Sequence, residues 1–253
     1  MGFTAISYER REGQGVITLK AHSGQAEQLA NLYYELGQLA DEVAWDQQLR
    51  VILLTASEPG GFCFGPGTAG WQENDGEGRW ALAEQIARFD KPVIAVLEGD
   101  VFAQGLEMAL ACDVRIAAQN SRLAMPQIAA GLMPFDGGSQ RLPRLVGLGK
   151  AMEMILGAEV LDAAQAMAIG LVNKVVAPGD CLRTAMGWGQ KAQANGPLAM
   201  RFVKEAMNKG LDMSLAQGLR LEADLYFLLH TTQDRTEGIT SFLAKKSPEF
   251  KGE

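Results

Sequence analysis

Apolar residues follow two alternating patterns along the first half of the chain. From Gln25 to Trp45 they recur every three or four residues, which predicts a helix with one buried stripe. Residues 15–19, 51–55 and 92–97 are short apolar runs instead, and such runs are typical of parallel strands buried on both faces. Residues 113–118 predict a further strand after an Ala-rich helix. This order of strands and helices indicates βαβ units and an α/β fold.

Beyond about residue 145 the pattern predicts helices only. Asp162 is a suitable N-cap for the first of them, and Gly170 stands at the stop position. A helical C-terminal third on an α/β body suits a lid or an oligomerisation surface. The polar tail after Lys245 is expected to be mobile unless a neighbour holds it. The predicted helices cover residues 163–169, 197–209, 214–229 and 236–245.

Composition and charge narrow the class of protein. The 253 residues include 23 basic and 30 acidic side chains, which gives a net charge of −7. A general nucleic-acid binder needs a basic face, so we expect no nucleic-acid partner. No apolar run approaches the roughly 18 residues that span a bilayer, and the N-terminal residues lack a secretion signal. We therefore expect a cytoplasmic protein without a membrane partner. Three cysteines without a Cys-x-x-Cys pair, and two histidines, favour neither a disulfide framework nor a metal site.

Three Gly-rich junctions follow predicted strands and are candidates for a shared pocket. They cover residues 61–67, 99–107 and 134–138. Free N–H groups at a helix start attract developing negative charge, and Glu107 lies one turn inside the second junction. Asp136 adds a second carboxylate in the third junction. Each feature also has an ordinary structural explanation, as a turn glycine or a helix-terminal charge, and these explanations stay open.

Several longer motifs resemble the crotonase superfamily, the enoyl-CoA hydratase/isomerase family. They are Lys91-Pro-Val-Ile-Ala-Val, Ala-Cys-Asp113-Val-Arg-Ile-Ala-Ala, Gly131-Leu-Met-Pro with the following Gly-Gly-Ser-Gln-Arg-Leu-Pro-Arg, and Ala168-Ile-Gly-Leu-Val-Asn-Lys-Val-Val176. The resemblance implies a ββα spiral core over residues 1–195 and a helical trimerisation region over residues 196–253. It also implies a homotrimer or a hexamer of two trimers, with an acyl-CoA or carrier-bound acyl thioester as substrate and no separate cofactor.

The resemblance places a two-donor oxyanion hole in the first two junctions. The second donor falls on the backbone N–H of Gln104, where many relatives have glycine. The first falls on Pro66, which has no N–H to donate. Gly67 must take over this role, or half of the oxyanion hole is missing.

The carboxylates of the hydratase branch are only partly matched. Glu107 corresponds to the glutamate that orients or activates water, but Gln127 stands where a second glutamate is found. Glutamine forms hydrogen bonds but exchanges no proton near neutral pH. Asp136 lies where hydratases have a small residue, as in relatives that make or break C–C bonds. It is a candidate for the second proton-transfer group.

Residues for substrate binding are also suggested by the resemblance. Phe64, Trp71 and Phe135 are candidates beside the acyl group, although core packing explains Trp71 equally well. Tyr226 is a candidate partner for the adenine, and Lys245 matches a lysine that contacts the CoA phosphate from a neighbouring subunit. The Arg-Asn-Ala-type loop near the adenine is absent, so a carrier-bound acyl group or a free diketone stays open as substrate.

Three functions follow from these matches and departures. The first is an enoyl-CoA hydratase-like lyase that forms an enolate from an acyl thioester, with Glu107 and Asp136 as the proton-transfer groups. The second is a C–C bond hydrolase or Claisen-type enzyme on a β-dicarbonyl, in which Asp136 dominates. The third is a catalytically silent crotonase-fold subunit, which the changes at Pro66 and Gln127 suggest.

Overall fold

Two sheets organise the protein in a computed structural model that describes residues 2–20, 26–68 and 80–253. The strands are β1 (Ile6–Arg11), β2 (Gln14–Leu19), β3 (Val51–Ala56), β4 (Phe62–Phe64), β5 (Val93–Leu97), β6 (Asp100–Ala103), β7 (Val114–Ala118), β8 (Arg122–Ala124), β9 (Val160–Asp162) and β10 (Lys174–Val176). One sheet has six strands in the order β1-β2-β3-β5-β7-β10, and the other has four in the order β4-β6-β8-β9.

Helices cover the sheets and dominate the last third of the chain. A short 3-10 helix over Pro126–Ala130 follows β8 and precedes the α-helix that begins at Gly138. The α-helices are α1 (Ala26–Ala44), α2 (Leu82–Ala87), α3 (Gln104–Ala111), α4 (Gly138–Val146), α5 (Leu148–Leu156), α6 (Ala163–Ala168), α7 (Cys181–Gln193), α8 (Pro197–Gly210), α9 (Leu215–Leu229) and α10 (Gln233–Ala244).

The apolar runs become the centre of the large sheet, as their composition predicts. β2, β3, β5, β7 and β10 pair in parallel, and only the edge strand β1 is antiparallel to its neighbour in this sheet. β5 is buried along its whole length, and the first four residues of β3 are buried as well. The stripe on α1 packs its leucines into the same core. The α/β fold is therefore confirmed.

The expectation of helices alone beyond residue 145 is wrong. β9 and β10 are strands of three residues each, too short to produce a period in the sequence. β10 extends the large sheet beside β7, and β9 closes the small sheet beside β8. The predicted cap of the following helix is confirmed, because Asp162 and Gln165 form a reciprocal capping box at the start of α6.

The C-terminal tail is held by the chain itself, contrary to the expectation of a mobile segment. Asp234, buried at the start of α10, accepts the backbone N–H groups of Lys251 and Gly252 at 2.7 and 2.8 Å. Arg50 donates to the carbonyl oxygen of Phe250 at 2.9 Å. A carboxylate that accepts two backbone N–H groups supplies the order that the polar composition of the tail does not indicate.

The last three helices expose apolar side chains. Leu211 on the C-cap of α8, Phe227 on α9 and Phe242 on α10 are each more than two-thirds exposed in the single chain. Exposed apolar surfaces of this kind are typical of interfaces. The trimer or hexamer, and the division of the chain near residue 195, stay predictions.

Candidate functional site

The ends of β4 and β6 bring the first two Gly-rich junctions together. The two strands are parallel neighbours, and Phe64 pairs with Ala103 at their carboxyl ends. Gly65 follows with φ +95°, and a Cβ atom there would lie 2.7 Å from Cβ and 3.2 Å from the backbone N of Gln104. Only glycine fits this backbone conformation and this close approach without displacing Gln104.

The junction between β6 and α3 presents the backbone N–H of Gln104. Ala103 adopts φ +52° and ψ −124°, a rare conformation for a residue with a side chain, and Gln104 then begins the helix. As the first helical residue, Gln104 has no acceptor for its N–H within α3. The geometry fits a donor for a developing oxyanion, which is the role that the sequence suggests.

The loop after β4 contains Pro66 and Gly67, the two residues in question for the other donor. Pro66 is buried and has no N–H. Gly67 has φ +88°, and its N–H forms no hydrogen bond with any residue that the structure describes. A Cβ atom on Gly67 would lie 2.9 Å from the carbonyl oxygen of Pro126, so the loop packs closely against the segment that holds Gln127. That Gly67 replaces Pro66 as a donor stays a prediction.

Glu107 lies one helical turn after Gln104 and has no solvent exposure. Its Oε1 accepts the backbone N–H groups of Asp136 and Gly138, both at 2.8 Å. Its Oε2 accepts the Gln127 Nε2 amide at 3.2 Å. Burial raises the pKa of Glu107 to about 7 against the lowering effect of the Gly138 hydrogen bond, and the Asp136 charge raises it further.

Asp136 is the second buried carboxyl group of the site. Its Oδ2 accepts the backbone N–H of Ala83 at 2.8 Å and the Gln104 Nε2 amide at 3.1 Å. Burial raises the pKa of Asp136 to about 6, although the hydrogen bonds from Ala83 and Gln104 act against this shift. No side chain caps α2 at its own N-cap residue, Ala81, so Asp136 also serves as a cap from a distant loop.

Gln127 completes the contacts of Glu107. It is fully buried, and its Oε1 has no hydrogen-bond partner in the described part of the chain. An ionised carboxylate only accepts hydrogen bonds, so the amide nitrogen of Gln127 faces Glu107 and the amide oxygen points away from it. The site therefore contains an unused buried acceptor beside the carboxyl pair.

The apolar candidates occupy different places in the fold. Phe64 is buried at the end of β4, and Phe135 is half-buried directly before Asp136. Trp71 lies outside the described residues. Trp80, at the start of the segment that leads into α2, has its ring centroid 5.3 Å from those of Tyr33 and Tyr34.

The two candidate CoA contacts lie elsewhere in the single chain. Tyr226 on α9 contacts His230, with 4.6 Å between the ring centroids. It lines a cavity of about 410 Å³ among the C-terminal helices, and neither Glu107 nor Asp136 lines this cavity. Lys245 is exposed and ends α10 in a left-handed conformation, with φ +53°. The single chain does not bring either residue to the carboxyl pair, and their roles stay predictions.

The sequence did not indicate the backbone partners of the carboxyl pair. The N–H groups of Ala83, Asp136 and Gly138 carry most of the hydrogen bonds, and backbone donors have no residue signature. One signal was available at Gly138, where a Cβ atom would lie 2.9 Å from Glu107 Oε1. The Gly-Gly pair after Asp136 marks this close approach.

The described residues contain neither a metal-binding cluster nor a helix that could span a membrane. No group of three or more His, Cys, Asp or Glu side chains among them is arranged to hold a metal ion. None of the helices in the described ranges is both long and apolar enough to cross a bilayer.

Comparison with known proteins agrees with this fold. The family model described as enoyl-CoA hydratase/isomerase matches residues 9–253. Crotonyl-CoA hydratase of Syntrophomonas wolfei is 34% identical, with 99% of both chains covered. Mitochondrial methylglutaconyl-CoA hydratase of Rattus norvegicus is 33% identical over 98% of this chain and 83% of its own length. The crystal structure of an enoyl-CoA hydratase from Bacillus anthracis superposes with a TM-score of 0.86 at 30% identity, covering 99% of this chain and all of the other.

These matches extend over nearly the whole chain. The protein therefore belongs to the enoyl-CoA hydratase/isomerase family of the crotonase superfamily.

Proposed function

We propose that the protein is a hydro-lyase that adds water to an α,β-unsaturated acyl thioester, with acyl-CoA as the substrate form. The observation that supports this function best is the pair of buried carboxyl groups, Glu107 and Asp136. The backbone of one residue holds the carboxylate of the other, since the Asp136 N–H donates to Glu107 Oε1 at 2.8 Å. Asp136 supplies the second carboxyl group that Gln127 cannot supply.

The reaction requires stabilisation of a thioester enolate. The backbone N–H of Gln104 serves as one donor to the enolate oxygen, and the N–H of Gly67 serves as the other. Removing one donor from the oxyanion hole of an acyl-transfer enzyme costs about 10²–10³ in kcat. Because Pro66 has no N–H, an active enzyme needs the N–H of Gly67 as the second donor.

Water addition also requires a base for the attacking water and an acid for the carbon next to the thioester. The pKa of Asp136 is about 6 and that of Glu107 about 7, so the pair holds a single proton between these pH values. One member then accepts the proton of the attacking water, and the other delivers a proton to the carbon next to the thioester. The two exchange roles in the reverse, dehydrating direction.

Gln127 supports both protonation states of Glu107. Its Nε2 donates to the ionised carboxylate, and after rotation of the amide its Oε1 accepts from the carboxylic acid. An ionised glutamate at position 127 would be repelled by the Glu107 carboxylate. The neutral amide of Gln127 does not titrate, so only Glu107 and Asp136 exchange protons.

Hydration of crotonyl-CoA, followed by loss of the enoyl thioester absorbance, tests the proposal. We expect turnover that falls at least about 10²-fold in both Glu107→Gln and Asp136→Asn, because each substitution removes one proton-transfer group. Asp234→Asn is the matched control, since Asp234 is also buried and also accepts two backbone N–H groups. Turnover that survives Glu107→Gln, or absence of both turnover and acyl-CoA binding, would contradict the proposal.

A C–C bond hydrolase acting on a β-dicarbonyl is the second candidate. One observation favours it: the carboxylate of Asp136 is bound by the same residue, Gln104, whose backbone presents the oxyanion donor. Asp136 then lies beside the enolate without the help of Glu107. Cleavage of a β-diketone that is lost in Asp136→Asn and kept in Glu107→Gln would support this function over hydration.

A further inference from the structure

We propose that the side chain of Gln104 is a positioning residue for Asp136, in addition to the role of its backbone. The amide holds the Asp136 carboxylate against the turn that leads into α2. This inference deepens the proposed function and rests on it only where turnover is measured.

The amide nitrogen of Gln104 is fully committed to two acceptors. One hydrogen is donated to Asp136 Oδ2 at 3.1 Å, and the other to the backbone carbonyl oxygen of Trp80. Gln104 is 1% exposed, so bulk solvent does not reach these bonds. An Nε2 group has two hydrogens, and both are used here.

The same carboxylate oxygen also accepts the N–H of Ala83, three residues after Trp80. Asp136, Gln104 and the Trp80–Ala83 turn therefore form a closed arrangement around one oxygen atom. An apolar side chain at position 104 would leave the Trp80 carbonyl oxygen without this buried partner and Asp136 with one donor fewer. The arrangement fixes the direction in which the carboxyl group faces.

The amide also favours the ionised form of Asp136, because a donor stabilises a carboxylate more than a carboxylic acid. The other charged groups that act on Asp136 are Glu107 on α3 and Arg141 on α4. Arg141 donates to the backbone carbonyl oxygen of Asp136 at 3.0 Å and so approaches from the opposite element. Gln104 is the side chain that donates directly to the Asp136 carboxylate among those the structure describes.

The test uses Gln104→Leu and the nearly isosteric Gln104→Glu, which both retain the backbone N–H at position 104. Gln85→Leu is the control, since Gln85 is also buried but its amide oxygen binds Arg88 beside Gly37 of α1. The first measurement is an infrared pH titration of the Asp136 carboxyl band in the free protein, assigned by its absence in Asp136→Asn. This measurement needs no turnover.

In Gln104→Leu we expect the Asp136 titration to move up by about one pH unit, and in Gln104→Glu by more, because a second carboxyl group replaces the donor. The acid limb of the plot of kcat against pH should move up together with the Asp136 titration. For a shift of about one unit, kcat falls about fivefold at pH 6 and about twofold at pH 7. Gln85→Leu should change neither measurement.

An unchanged Asp136 titration in both Gln104 variants would overturn the inference, whatever happens to the rate. A loss of rate that is equal at every pH would likewise indicate packing alone. A shifted titration in a protein that hydrates no enoyl thioester would support the positioning role and contradict the hydratase function, so the two failures are distinguishable.

Discussion

The backbone N–H of Asp136 donates to Oε1 of Glu107, so one carboxyl-bearing residue holds the carboxylate of the other through its main chain. Burial raises the pKa of both carboxyl groups above their usual range, and the negative charge of Asp136 repels that of Glu107. This relationship has consequences for stability as well as for catalysis.

Glu107→Gln should stabilise the fold at alkaline pH while it removes activity. The folded state binds the Glu107 proton more tightly than the unfolded state, since the pKa rises from 4.5 to about 7 on folding. Stability from this group is therefore present at low pH and falls as the pH rises from about 4.5 to about 7. A glutamine at position 107 carries no charge to bury. The amide of Gln127 can rotate so that its oxygen accepts a hydrogen bond from that glutamine.

Urea unfolding at pH 5 and pH 8 checks this expectation. At pH 8 the free energy of unfolding of Glu107→Gln should exceed that of the original protein by up to about 3 kcal/mol, and at pH 5 by much less. A variant that is less stable than the original protein at pH 8 would show that the buried, ionised Glu107 does not destabilise the fold.

Gly65→Ala should reduce both activity and stability. Its φ of +95° is unfavourable for alanine, and the added Cβ would lie 2.7 Å from Cβ of Gln104. We expect a loss of about 1–3 kcal/mol in the free energy of unfolding and a lower kcat, because Gln104 must shift. Gly149→Ala on α5 is the control, as a Cβ there meets nothing within 4 Å. Equal kcat in the two variants would argue against Gln104 as an oxyanion donor.

Arg115→Met should destabilise the protein strongly while leaving the site geometry intact. Arg115 on β7 is buried, and its guanidinium donates to the carbonyl oxygens of Ala109, Cys112 and Leu171. Removing it leaves three buried acceptors without this donor, so we expect a loss of about 3 kcal/mol by thermal or urea unfolding. The exposed Arg183→Met should change stability by less than about 0.5 kcal/mol. Similar effects of the two substitutions would be inconsistent with the role assigned to Arg115.

Asp234→Ala should release the C-terminal tail. The backbone N–H groups of Lys251 and Gly252 lose their common acceptor, so their hydrogen exchange should accelerate at least about tenfold. Asp224→Ala on α9 is a surface control that should leave the exchange unchanged. Unchanged protection of these two amides in Asp234→Ala would mean that other contacts hold the tail.

The parts of the fold that follow from local patterns were predictable. The leucine stripe indicated α1, the apolar runs indicated β2, β3 and β5, and Asp162 indicated the start of α6. The three-residue strands were not predictable, because β4, β8, β9 and β10 are shorter than any pattern that distinguishes strand from loop.

The site was predictable as a set of residues but not as a set of contacts. Glu107, Asp136, Gln127 and Gln104 were all proposed from the sequence, and the structure brings them together through hydrogen bonds. The side-chain bond from Gln104 to Asp136 spans 32 positions in sequence, and the partner at Trp80 belongs to the backbone. Contacts of this kind depend on tertiary packing, which no local spacing encodes.

The Asp136 N–H that Glu107 accepts belongs to the backbone, so any residue except proline can supply it at position 136. A substitution there removes the carboxyl group of Asp136, and with it the cap of α2, but retains the backbone donor to Glu107. Position 136 is therefore where the contribution of one carboxyl group can be measured while the other keeps its backbone anchor.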